Sequence, residues 1–133
     1  MYRMCLALGS VLALVANFGC GSGQPAAAPT APVKGTVHMD GKPLPAGEIH
    51  FSMTGVPPRV LEIKNGAFSG EAPVGKNLVE VFVYVEGPPS KKYGGTPTKT
   101  NIVSDRYWGQ DSTLSATVDA SGNSELKFDI KSK

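Results

Sequence analysis

The sequence predicts a small all-β domain, a sandwich of six or seven short strands, preceded by a segment that is not part of it. Three observations carry this. Apolar and polar residues alternate with period two in one short run after another, the pattern of half-buried strands. The runs are separated by Gly, Pro, Asn and Asp clusters that favour turns. No stretch of the folded part has the three-to-four-residue apolar spacing of an amphipathic helix, and many short strands in about 100 residues favour a sandwich.

Arg3 supplies one positive charge, and residues 5–16 form an uncharged, mostly apolar run. A run of this length matches the core of an export signal and is short for a membrane span. Residues 1–19 are therefore expected to be a signal peptide. Cys20 follows Gly19, and the composition changes at once to Gly, Ser, Gln, Pro and Ala. A small residue followed by Cys at this position resembles a bacterial lipobox, with Cys20 as the lipidated N-terminus. Asn17 and Phe18 depart from the usual aliphatic pattern, and cleavage to a soluble secreted protein is the competing reading. Cys20 is the only cysteine after the signal, so the mature chain has no thiol with which to pair it. Lipidation would consume that thiol, and acyl chains would hold the protein on a membrane. Gly21, in place of Asp, points to the outer membrane. Residues 20–32 are read as a flexible tether, because they offer no charge and no large apolar side chain.

Residues 33–133 make the domain, and each run has its own signature. Val33, Gly35, Val37 and Met39 alternate with Lys34, Thr36 and His38 in a first strand that ends at Asp40-Gly41. Ile49, Phe51 and Met53 alternate with Glu48, His50 and Ser52 in a second. Residues 55–58 break it, and residues 60–64 form a third. Asn65-Gly66 is the dipeptide of a type I′ hairpin turn, with residues 67–70 as the return strand. Residues 77–86 are expected to be the longest and most central strand, because Val79, Val81, Val83 and Val85 fill one face while Leu78, Phe82 and Tyr84 fill the other. Residues 87–98 are rich in Pro, Gly and Lys and read as a surface loop. Leu114, Ala116 and Val118, then Leu126, Phe128 and Ile130, give the closing strands.

The opening run, Val33-Lys34-Gly35-Thr36-Val37-His38-Met39-Asp40-Gly41-Lys42-Pro43-Leu44-Pro45-Ala46-Gly47-Glu48-Ile49-His50-Phe51, resembles the start of the carboxypeptidase regulatory-like domain family. The segment from Ile102 to Tyr107 with Ser112-Thr113-Leu114 resembles a later family segment, with Val103 where Pro is usual. The resemblance implies a seven-stranded transthyretin-like (prealbumin-like) β-sandwich in a bacterial lipoprotein. It implies no activity, and its motif residues are turn and core residues.

Mixed charges and a net charge of +2 leave no Lys/Arg stripe for nucleic acid. No nucleophile elbow occurs. The two histidines, His38 and His50, would approach each other if their strands paired, but no motif places a third ligand. Lys34 with Asn123 or Asp129, and Glu80 as proton shuttle, are the residues of a conceivable isopeptide bond. Lys34 lies on the polar face of its strand, which favours an ordinary solvated lysine. No cofactor and no metal are expected, and the chain reads as a non-enzymatic cell-envelope lipoprotein with a structural or protein-interaction role. The alternative is a carbohydrate-binding module built on the loop aromatics Tyr93, Tyr107 and Trp108. In the other reading of these residues, Tyr107 and Trp108 plug the end of a small core.

Overall fold

The computed structural model describes residues 27–133. The expected signal peptide, Cys20 and the first part of the spacer lie outside the described residues, as do the side chains of Tyr93 and Ser124. The strands are β1 (Thr30–Met39), β2 (Lys42–Pro43), β3 (Ala46–Met53), β4 (Val56–Lys64), β5 (Ala67–Pro73), β6 (Gly75–Phe82), β7 (Tyr84–Ser90), β8 (Thr96–Asn101), β9 (Leu114–Val118) and β10 (Asn123–Ile130). The chain is all-β, as its alternation predicts; the only helical pieces among the described residues are single 3₁₀ turns at Lys91–Tyr93 and Asp105–Tyr107.

One continuous sheet runs in the order β10-β1-β5-β4-β3-β6-β9, with β2 added to β1. It folds into two facing layers because the β4–β5 ladder stops after one pair, Lys64 opposite Ala67. The Asn65-Gly66 turn predicted from sequence is that corner. Both residues have positive φ, 51° and 77°, as a type I′ turn requires. Gly66 also ties the corner to the neighbouring strands. Its N–H donates to Leu44 O at 2.7 Å, and its carbonyl accepts from Val37 N at 2.9 Å.

The inward positions of both layers meet in one core. Val33, Val37, Phe68, Phe128 and Ile130 come from the first layer, and Ile49, Phe51, Ile63, Val79, Val81 and Val118 from the second. Phe51 reaches Phe68 across the gap, with ring centroids 6.0 Å apart. The alternation thus gave the correct face for β1, β3, β9 and β10, and for β6 as far as Val81. Burial of this apolar surface is the main force holding the layers together.

Four expectations change in the structure. The break expected over residues 55–58 is only a turn at residues 54–55, because β4 already begins at Val56, paired with Met53. The strand expected over residues 77–86 ends at Phe82, because at Val83 the backbone exchanges partners. Val83 O accepts from Ile102 N, and Val83 N donates to Asn101 Oδ1. Tyr84 and Val85, expected in a central strand, are 53% and 42% exposed. The expected loop over residues 87–98 is largely a two-stranded antiparallel ribbon, β7 with β8, turning at residues 91–95. The first strand begins at Thr30, inside the segment read as tether, and Ala31 is buried opposite Ala72. A small side chain was enough, because the β1–β5 ladder carries the chain there by backbone hydrogen bonds.

Strand directions give the domain two distinct ends. Near the start of β1 lie residues 73–75, where Val74 N donates to Pro29 O, and the 119–122 turn, where Gly122 N donates to Asp119 O. At the far end lie the Asp40-Gly41 and Asn65-Gly66 turns, the start of β3, the end of β6 and the root of the β7–β8 ribbon.

Candidate functional site

The two histidines are not brought together. β1, which carries His38, pairs with β10, β5 and β2, whereas β3, which carries His50, pairs with β4 and β6 in the other layer. His50 Nε2 instead lies 3.2 Å from Glu48 Oε2, and its ring packs on Phe82 with centroids 4.6 Å apart. Among the described residues no group of three or more His, Cys, Asp and Glu side chains is placed to hold a metal. Of the isopeptide residues, Lys34 and Asn123 lie on the paired strands β1 and β10, with Val33 opposite Asn123, but Glu80 does not join them. Lys34 is exposed on β1, while Glu80 on β6 accepts from Ser52 Oγ at 3.1 Å and from Gly109 N at 2.9 Å in the other layer.

The aromatic residues singled out in the sequence divide by environment. Tyr107 is 9% exposed and belongs to the core. Trp108 is half-buried; its indole N–H donates to Val103 O at 3.1 Å. The Lys133 ammonium sits 5.4 Å above the indole centroid and pairs with Asp105 at 2.9 Å. Adjacent in sequence, Tyr107 and Trp108 therefore face different surroundings and do not form one exposed platform.

A different aromatic group is assembled on the outer face of β3 and β6. Alternation turns Glu48, His50 and Ser52 of β3 outward beside Phe82, Glu80 and Leu78 of β6. Phe82 is the hub of the group. Besides His50 it meets Trp108 at 6.1 Å and Tyr84 at 6.0 Å, the Tyr84 ring being 7° from parallel. Beside these rings is an open cleft of about 490 Å³, lined by Glu48, Val60, Glu62, Phe82, Tyr84 and Lys99 among others. Sequence reading missed it because its walls come from five separate strands. The available signal was an apolar residue on the outward face of β6 and another just beyond it, Phe82 and Tyr84, where alternation leads one to expect polar residues.

A second open concavity, of about 670 Å³, lies where β4 and β5 diverge, between Lys34, Lys64 and Lys127 and the carboxylates Glu62 and Glu125. Its charges are mixed, and Lys64 already pairs with Glu62 at 2.9 Å. It has the character of a solvated sheet face.

No family model matches the sequence, and no curated protein matches it. Among solved structures, a DUF3823 family protein from Parabacteroides merdae overlays 79% of this chain and 47% of its own, at TM-score 0.44 and 14% identity. A 9R-lipoxygenase from Cyanothece overlays 74% of this chain and 16% of its own, at TM-score 0.35 and 17% identity. The chain spans less than half the length of either protein. Overlaps at this level carry no argument about what the chain does.

Proposed function

We propose that the protein is a non-enzymatic, lipid-anchored envelope protein that holds its β-sandwich close to a membrane and presents the far end of the domain to a binding partner. The observation that carries this reading is the polarity of the fold. Only residues 21–29 separate Cys20 from Thr30, where β1 begins. Fully extended, nine residues span roughly 30 Å, so an anchor at Cys20 keeps the start of β1 near the lipid surface. The ribbon root and the aromatic cleft lie at the opposite end of β1, about 30 Å away at ~3.3 Å per residue. The apolar run before Cys20 and the resemblance of the opening motif to carboxypeptidase regulatory-like domains of bacterial lipoproteins support the same reading. Among the described residues no helix is long and apolar enough to cross a membrane.

The test is mass spectrometry of the mature N-terminus. A diacylglyceryl group on Cys20 is expected, and Cys20→Ser should release the protein from the membrane fraction. A mature N-terminus without lipid would overturn the anchor.

A further inference from the structure

We propose that the cleft at the root of the β7–β8 ribbon is a saccharide site for a neutral or amino-substituted sugar, roughly one or two rings long. The inference builds on the reading above only for the direction in which the cleft faces; the binding chemistry stands without the anchor. The first observation is the clustering of exposed apolar surface. Among the described residues the large exposed hydrophobics are Val60, Tyr84 and Val85, and two of the three, Val60 at 51% and Tyr84 at 53%, line this one cleft. Scattered exposed hydrophobics are ordinary, but two around an aromatic hub make a surface with a use. The second observation is that the hub is fixed. Phe82 is packed by His50 and Trp108, and Tyr84 lies nearly parallel to it. The platform is therefore ordered before any ligand arrives, which lowers the entropic cost of binding.

The rim supplies polar contacts. Glu48 and Glu62 stand directly opposite each other on β3 and β4. Glu48 Oε2 lies 3.2 Å from His50 Nε2, and Glu62 Oε2 pairs with Lys64 Nζ at 2.9 Å. Lys99 stands on the ribbon side of the cleft, opposite Glu86 in the β7–β8 ladder. Sugar C–H faces stack on aromatic rings, sugar hydroxyls donate to carboxylates, and an ammonium donates to sugar oxygens. A peptide strand fits less well. It binds by adding to a free sheet edge, whereas the cleft floor is a strand face and β3 is already paired on both sides, with β4 and β6. Lys99 and Lys64, the latter already paired with Glu62, are matched by Glu48 and Glu62, so the rim carries no excess positive charge to draw an acidic sugar. The volume lies in the small-ligand range of roughly 300–1,000 Å³.

Trp108 is the only tryptophan of the chain and touches the hub, so its fluorescence reports on the site. The full chain, in a detergent without a sugar headgroup, is titrated with cello-oligosaccharides, manno-oligosaccharides and chitosan oligomers. At least one of these should shift the emission saturably. Tyr84→Ala, at an exposed position, should weaken that binding about tenfold or more, and Tyr84→Phe should retain most of it. Glu62→Gln should weaken it by a smaller factor. If none of the three classes binds, or if Tyr84→Ala and Glu62→Gln both bind as the unaltered chain does, the site is overturned. Mass spectrometry of Cys20 is independent of this titration, so the cleft and the anchor fail separately.

Discussion

Gly66 concentrates much of the folding problem in one residue. Its φ of 77° lies in the left-handed region, and a Cβ there would come 2.6 Å from Pro43 Cβ. Gly66→Ala thus combines backbone strain with a contact that needs β2 to shift. The strain alone costs about 1–3 kcal/mol, and a domain of this size loses roughly 4–8 °C in melting temperature per kcal/mol. A fall of about 10 °C or more is expected by calorimetry; an unchanged melting temperature would mean that the corner does not hold the layers as described. This position was legible in the sequence, because Asn-Gly has few other uses between two alternating runs. The cleft residues were not legible. Nothing in the local sequence says that Phe82 will be packed by residues 32 positions back and 26 positions on, His50 and Trp108.

At the scale of elements, the β7–β8 ribbon is the part that sequence reading failed to resolve. Alternation is detectable only where one face is buried, and no side chain described in the ribbon is buried. Its pairing is held by backbone bonds and by its root, so its sequence looked like a loop. An isolated two-stranded ribbon is marginal in water, so its attachment matters. Asn101 provides the clamp. Its Oδ1 accepts from Val83 N at 3.1 Å and from Val103 N at 3.2 Å, joining the end of the central sheet to the chain that returns from the ribbon. Asn101→Ala leaves two backbone donors without this acceptor, at a cost of about 1–3 kcal/mol. Hydrogen exchange should accelerate over residues 84–101 while β1, β3 and β6 stay protected. Uniform acceleration across the domain would show instead that ribbon and sandwich open as one unit. The strands whose alternation faces the core were read correctly because burial on one face writes that pattern directly.

For the whole molecule, the sequence showed a sandwich of six or seven strands and which faces were apolar, but not the β7–β8 ribbon or which strand lies beside which. The second strand follows the first within a few residues, yet they lie in different layers, because β5 and β10 occupy the two sides of β1. That choice separates His38 from His50 and gives the domain its two ends. The proposed orientation has a measurable consequence. In vesicles carrying quencher-headgroup lipids, a fluorophore at Ser121→Cys should be quenched more strongly than one at Lys91→Cys. Equal quenching would mean that the domain has no preferred end toward the lipid. The order of strands also bears on when the fold can form. β1 pairs in parallel with β10, joining residues about 90 positions apart, such as Val33 with Asn123. Such distant pairing makes for slow folding, since a long loop must close before its contacts are gained. The partner of the first strand is also synthesised about 90 residues after it. The nascent chain therefore carries one whole edge of β1 without its neighbour until residue 130 is free.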